Sequence, residues 1–170
     1  MRIELESLEK GREFAKVYQP RELDLDEQEL KLIEPAEIRG RIRRKGDEVQ
    51  LVGHLRTNVE AACARCLTPV SLPIAAEVTE RFVPGVVWGA EEQHELSEQD
   101  LDLVVFDGEG IELDDVVREE ILLALPSQVL CRSDCQGLCP VCGADRNMKD
   151  CGCEARQVDE RWGALKDLRF

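Results

Sequence analysis

The chemistry this chain can offer lies in its eight cysteines. Six of them fall within the 23 residues from Cys131 to Cys153, CRSDCQGLCPVCGADRNMKDCGC, and Cys63 and Cys66 stand far upstream in CARC. Thiols at this density make disulfides, a dithiol redox couple or a metal site. Zinc takes four ligands in a tetrahedron with sulfur at about 2.3 Å, so two sulfurs on one ion lie about 3.8 Å apart. A Cys-x-x-Cys turn brings two thiolates that close, and Cys63-Ala-Arg-Cys66 and Cys139-Pro-Val-Cys142 both have this spacing. Pro140 restricts the second turn. Gly143 can take a positive φ after it, which lets backbone N–H groups point at sulfur. Cys151-Gly-Cys153 is tighter, and Gly152 removes the steric objection to a sharp turn.

Eight thiols make two Cys₄ sites. The division the spacing favours puts Cys63, Cys66, Cys131 and Cys135 on one zinc and Cys139, Cys142, Cys151 and Cys153 on another. Exchanged ligands, or one site with thiols left over, stay open at this stage. Such sites are structural, because a catalytic zinc keeps an open position and commonly uses histidine or carboxylate. The histidines, His54 and His94, neighbour neither cysteine cluster. Four thiolates on one Zn²⁺ leave a local charge of −2, a poor Lewis acid.

These ligands need elements to hold them. Ala36, Ile38, Gly40 and Ile42 alternate with Glu37, Arg39, Arg41 and Arg43, and the alternation resumes from Val49 to Ala61 after Lys45-Gly46-Asp47. That pattern predicts a β-hairpin. A third alternating run, Val70 to Phe82, follows CARCLTP, which places Cys63 and Cys66 at the connection between two strands of an antiparallel meander. Residues 85–102 are polar and acidic and predict a loop, and Leu103 to Phe106 a short strand. Leu113, Val116, Val117, Glu120, Ile121 and Ala124 recur at helical spacing behind Asp114 and Asp115, whose charges favour a helix start. Pro126 stops that helix. Trp162, Leu165 and Leu168 predict a short amphipathic helix at the end. The expected fold is α+β: an antiparallel sheet, partly curled toward a barrel, with one main helix over 1–128, a zinc-knuckle segment at 129–155 docked on it, and a helix over 156–170.

At 170 residues the chain can bury a core without disulfide staples. MRIELESLEK lacks the apolar core of a signal peptide, and no window nears the roughly 18 apolar residues of a membrane span. A cytoplasmic protein in a thiol-reducing compartment is expected, which weighs against disulfides.

The net charge of −14 is uneven. Residues 1–50 carry 11 basic and 13 acidic side chains, 51–130 carry 4 and 16, and 131–170 carry 7 and 7. From Gly89 to Glu120 there are 13 acids against Arg118 alone. An acidic belt suits a basic protein partner, or it simply keeps the chain soluble. The opposite feature is a basic run, Arg39, Arg41, Arg43, Arg44 and Lys45, which could contact RNA or form a solvated strand face. Thiol redox chemistry is the rival to zinc: Arg65 inside CARC could depress a thiol pKa. A thioredoxin-like motif, however, belongs at a strand-to-helix turn of a βαβ unit, whereas CARC lies between strands. There is no nucleophile–base pair, P-loop or dinucleotide fingerprint.

CARCLTPV, EEILLALPSQVLC, DCQGLCPVCGADRN, CGC and DERWGALKDL, in that order, resemble the successive signature blocks of the YceD family, the large ribosomal RNA subunit accumulation proteins. The resemblance runs from about Val49 to Leu168. It covers Cys63, Arg65, Cys66, Cys131, Cys135, Gly137, Leu138, Cys139, Pro140, Cys142, Gly143, Asn147, Cys151 and Cys153; Arg146 stands where an apolar residue is more usual. The resemblance implies a non-catalytic, cytoplasmic role in accumulation and processing of 23S ribosomal RNA. The implied partners are the large-subunit RNA precursor, a basic large-subunit ribosomal protein, or both. No membrane and no small-molecule substrate are implied. RNA contact would fall to Arg39–Lys45 and the neutral cysteine segment, and protein capture to residues 89–120; the charge balance favours capture. The alternative is a cytosolic thiol redox protein or redox-regulated holdase.

Overall fold

The computed structural model describes residues 1–5, 8, 10–25, 30–88 and 103–153. Their contacts divide into two compact units, one of 1–61 with 71–127, the other of 62–70 with the chain from Gln128 onward.

The first unit is built on strands. β1 (Arg2–Glu4), β2 (Arg12–Tyr18), β3 (Leu30–Leu32), β4 (Ala36–Lys45), β5 (Glu48–Ala62) and β6 (Pro69–Pro84) are followed by one helical turn, α1 (Gly85–Trp88). Then come β7 (Leu103–Phe106), β8 (Gly110–Glu112) and the main helix α2 (Leu113–Leu123). The large sheet has the order β2-β4-β5-β6-β7, with β3 also on β5, and its order does not close on itself among the described residues. β1 and β8 form a separate antiparallel pair.

The predicted hairpin is β4–β5, antiparallel with Lys45 opposite Glu48 across the turn. Gly46, at φ +65, supplies the left-handed residue that so short a turn requires. β4 and β3 pair with successive stretches of the same long strand, β5: Glu37 to Lys45 with Glu48 to Arg56, then Leu30 to Leu32 with Val59 to Ala61. Period-two alternation is visible in the burial. Ile38, Ile42, Leu51, Leu55 and Val59 are buried while Arg39, Arg41, Arg43, Val52 and His54 are exposed.

Two features depart from the expected fold. The sheet is mixed rather than antiparallel: β7 lies parallel to β6, with Arg81 opposite Leu103 and Pro84 opposite Phe106. A parallel pair needs a crossover connection between its strands, and in sequence residues 85–102 separate β6 from β7. The start of that predicted loop is helical, Gly85 to Trp88. Residues 89–102, with His94 and six of the 13 acids of the acidic run, and the predicted helix at 156–170 lie outside the described residues.

The core of this unit gathers Phe14 and Tyr18 from β2, the inward residues of β4 and β5, Ile74, Val78 and Phe82 from β6, and Leu113, Val116, Val117 and Ile121 from α2. The helix buries the face its spacing predicts, and Ala124 serves as its C-cap before Pro126. Asp114, in the first turn, accepts the Tyr18 hydroxyl at 2.6 Å and pairs with the Met1 ammonium. Burial works against its charge, but those two partners outweigh it and hold the carboxyl below its usual range. No described helix is long and apolar enough to cross a membrane.

Candidate metal centres

Both candidate centres belong to the second unit. Two Cys-x-x-Cys segments fold into the same turn. In the first, Leu67 N–H donates to the Cys63 carbonyl at 2.9 Å and Cys63 N–H to the Thr68 carbonyl at 2.9 Å. In the second, Gly143 N–H donates to the Cys139 carbonyl at 2.8 Å and Cys139 N–H to the Ala144 carbonyl at 2.8 Å. The residue after the second cysteine is left-handed in both, Leu67 at φ +61 and Gly143 at φ +72. The turn folds the chain back so that both sulfurs and several amide N–H groups point inward.

The eight sulfurs gather into two quartets. In each, one sulfur from every cysteine lies within 4.8 Å of the others: Cys63, Cys66, Cys131 and Cys135 in one, Cys139, Cys142, Cys151 and Cys153 in the other. This is the division the spacing favoured. The Cys66–Cys131 and Cys63–Cys135 sulfurs are 3.6 and 3.9 Å apart. Those distances bracket the roughly 3.8 Å of a tetrahedral zinc thiolate and are far longer than a disulfide bond. The donors in both quartets are all sulfur, which suits a soft-tolerant ion such as zinc.

The first quartet is enclosed. Cys63, Cys66 and Cys135 are buried, with Val70, Leu130 and Leu138 packed against them, and Cys131 is the exposed corner. Ala64 N–H donates to the Val129 carbonyl at 2.8 Å and Leu138 N–H to the Arg65 carbonyl at 3.0 Å, so backbone bonds hold the two distant segments in register. Gly137 is required at that contact: its φ is +70, and a Cβ would sit 2.9 Å from the Arg65 carbonyl oxygen. The second quartet is more open, with Cys139 buried and Cys142 and Cys153 exposed. Gly152, at φ +63, makes its closing turn.

Each quartet also has the electrostatics of a cation site. Cys63 is lowered to about 6, first by the backbone N–H of Arg65 and then by that of Cys131, whose nitrogen lies 3.4 Å from the sulfur. Cys139 is lowered to about 6 by the backbone N–H groups of Cys142 and Val141. The last thiol of each set resists ionisation. Cys131 is raised to about 12 by desolvation and then by its thiol neighbours, and Cys153 to about 12 by hydrogen bonds to Cys142 and Cys151. The Cys63, Cys135 and Cys139 thiolates are favoured, whereas those of Cys131 and Cys153 call for a compensating cation. The Arg65 guanidinium does not supply that charge: it donates to the Cys135 backbone carbonyl at 2.9 Å, and the residue acts on Cys63 through its amide.

Asn147 was noted in the sequence only as part of a matching block, and the structure gives it work. Its Nδ2 donates to Cys135 Sγ at 3.4 Å and to Asp145 at 2.7 Å, while its Oδ1 accepts from Gln136 N–H at 2.8 Å and Arg132 at 2.7 Å. A side-chain amide that donates to a ligand sulfur orients that ligand. Nothing in sequence spacing marked it. His54 lies on β5 of the first unit, whereas both quartets belong to the second. The basic residues Arg39, Arg41, Arg43, Arg44 and Lys45 lie on β4, all exposed and all in the first unit.

No solved structure matches this chain. An uncharacterized protein of Mycobacterium tuberculosis (strain ATCC 25618 / H37Rv) is 31% identical over 128 residues, which is 75% of this chain. The aligned region spans 59% of that relative's length. The uncharacterized protein YlbN of Bacillus subtilis (strain 168) is 27% identical over 157 residues, 92% of this chain and 87% of its own. A chloroplastic protein of Arabidopsis thaliana, named large ribosomal RNA subunit accumulation protein YCED homolog 1, is 32% identical over 59 residues, 35% of this chain and 18% of its own. The family model described as large ribosomal RNA subunit accumulation protein YceD matches residues 51–169, a span that holds both cysteine quartets, and the chain belongs to the YceD family.

Proposed function

We propose that the protein is a non-catalytic ribosome-biogenesis factor of the cytoplasm that supports accumulation and processing of 23S ribosomal RNA, with two structural zinc ions held by its cysteine quartets. The observation that carries the structural assignment is the ligand count: each centre has four thiol donors from the chain itself. When bound, zinc would cross-link Cys63–Cys66 to Cys131–Cys135 and close the Cys139–Cys153 loop. A site filled by four thiolates supplies no open position for substrate or water. Family membership supports the ribosomal role.

The implied partners are the large-subunit RNA precursor, through Arg39 to Lys45, or a basic ribosomal protein, through the acidic segment 89–120. In the described part of that segment, five of the seven acids are already paired with cations. Arg2 pairs with Asp107, Glu109 and Glu112, Arg118 with Asp115, and the Met1 ammonium with Asp114. That observation shifts the balance toward RNA.

Two measurements test the reading. Depleting the protein from its host should lower the ratio of mature 23S to 16S ribosomal RNA and raise precursor; an unchanged ratio would remove the ribosomal role. Purified protein should contain about two zinc ions per chain, and its thiols should resist a maleimide until chelator is added. Rapid labelling without chelator, with reversible disulfide formation, would favour the redox alternative.

A further inference from the structure

Among the described arginines, those with carboxylate partners contrast with those at the end of β4. Arg2, Arg81, Arg118 and Arg132 are paired with carboxylates. Three arginines at the end of β4 are held by neutral acceptors instead. Arg41 donates Nη2 to the Lys10 carbonyl at 3.2 Å. Arg43 donates Nε and Nη2 to Gln50 Oε1 at 3.1 and 2.8 Å. Arg44 donates Nε to the Gly46 carbonyl at 2.9 Å. A carbonyl or amide oxygen fixes a guanidinium in place without cancelling its charge.

The backbone beneath them is shaped for this. The Leu8 carbonyl accepts from Gly11 N–H at 2.9 Å and from Arg44 N–H at 3.1 Å, pinning the segment before β2 against the end of β4. Gly11 lies under Arg41 with φ +71, and a Cβ there would reach 2.9 Å from the arginine Nε. The outcome is a groove of about 430 Å³ lined by Lys10, Arg41, Arg43, Arg44 and Lys45, with no carboxylate among its described lining residues. A second hollow shares Arg41 and Val52 with it and continues along the same strands to Arg39 and His54, with Glu13 as the one carboxylate among its described lining residues. In a chain of net charge −14, these five cations repel one another, and three of them are held in the groove by carbonyl and amide oxygens rather than by a described carboxylate.

We infer that this groove, with its continuation past Arg39, is a binding track for the phosphodiester backbone of RNA. Pre-oriented guanidinium forks match phosphate oxygens, and a track of successive cations suits a polymer of phosphates better than one free anion. No base-reading feature is part of the inference: the contacts described would position RNA and not select its sequence. The choice of RNA as the polyanion rests on the ribosomal reading above. The groove differs from the basic run seen in the sequence: it adds Lys10 and the clamps of Gly11 and Gln50, which come from other segments.

The test uses the full zinc-loaded chain and a fluorescein-labelled single-stranded 20-nucleotide RNA, read by anisotropy. Contact with about three to five phosphates should weaken binding about 20- to 130-fold between 50 and 200 mM salt. Arg43→Gln with Arg44→Gln and Lys45→Gln should lower affinity at least tenfold at 50 mM and flatten the salt slope. Arg146→Gln with Lys149→Gln, on the second unit, should leave both unchanged. Gly11→Ala, which displaces Arg41 without removing a charge, should weaken binding severalfold and so separates placement from bulk charge. Circular dichroism and the thermal midpoint of each variant report its fold. Unaltered binding by the triple variant, or equal loss in the second-unit variant, overturns the groove. So does absent RNA binding while a basic ribosomal protein is captured. In the depleted host, full recovery of 23S ribosomal RNA by the triple variant would sink the groove and leave the ribosomal reading standing. No effect of depletion itself would sink that reading, whatever RNA binds in vitro.

Discussion

The two cysteine quartets share one turn and differ in almost everything around it. The first joins residues 72 apart in sequence, Cys63 and Cys135, and three of its four sulfurs are buried. The second is completed between Cys139 and Cys153, and only Cys139 is buried. Closing a loop costs entropy that rises with the logarithm of its length, so the fivefold longer closure costs about 1.4 kcal/mol more in the unbridged chain. A metal bound across it offsets that cost through its binding free energy and also joins distant segments. The first quartet is therefore the one that defines the unit, and the second is a local clasp.

The largest expected effect separates them. Cys66→Ser should cost on the order of 5 kcal/mol and unfold the second unit, because it removes a buried ligand from the long-range site. Cys153→Ser, at an exposed corner of the local site, should lose one zinc per chain and leave most of the structure. Metal analysis and chemical denaturation of both variants check this, and equal damage from the two would break the distinction. A chelator should likewise release zinc in two phases, with the open quartet first. Acid should do the same, since every ligand must stay deprotonated.

Asn147 tests whether the sites are independent. It lies in the sequence between Cys142 and Cys151 yet donates to Cys135 of the other quartet. Asn147→Ala leaves Gln136 N–H and the Cys135 sulfur without their partner and should cost about 1–3 kcal/mol. Its metal loss should fall on the first quartet. Loss from the second alone would mean the amide serves only its own loop.

The glycines give smaller effects. Gly137→Ala meets both a left-handed φ and a Cβ contact of 2.9 Å with backbone, so it should cost about 2–3 kcal/mol. Gly143→Ala meets no atom within 4 Å and keeps only the conformational penalty, about 1 kcal/mol. Thermal denaturation of the zinc-loaded variants orders them, and a reversed order would mean that the Arg65 carbonyl yields easily.

Much of this arrangement is legible in the sequence, for identifiable reasons. The quartets follow from ligand spacing, and the β4–β5 hairpin from strict alternation about a Gly-Asp turn. What local pattern cannot show is pairing at a distance. β1 and β8 are three residues each, too short for a period, and pair across the length of the first unit. β7 was visible as a strand, but its parallel seat on β6 depends on the intervening crossover. The same limit applies to charge. The acidic stretch reads as an open belt until Arg2, from the other end of the unit, is found among Asp107, Glu109 and Glu112. The five basic residues read in sequence as either a solvated strand face or an RNA contact, and the neutral acceptors of Arg41, Arg43 and Arg44 come from segments that the run itself does not show.

Leu67 is the sharpest case, because the sequence pointed to a left-handed residue after Cys142 and gave no sign of one after Cys66. It occupies the position that Gly143 holds in the second turn, at nearly the same φ, although a side chain there costs roughly 1–2 kcal/mol. Its side chain is 58% exposed, so burial offsets little of that cost. The hydrogen bonds from Leu67 and Cys63 N–H, and the packed site that they frame, hold it in place. Leu67→Gly should therefore relieve the strain while loosening the unfolded chain, two effects of about 1 kcal/mol that oppose each other. The net change should stay within about 0.5 kcal/mol, with zinc content unaltered. A gain well above that would show a turn strained in the native chain. A clear loss would mean that the exposed leucine contacts something in the folded protein, and the two turns would then differ in role as well as in burial.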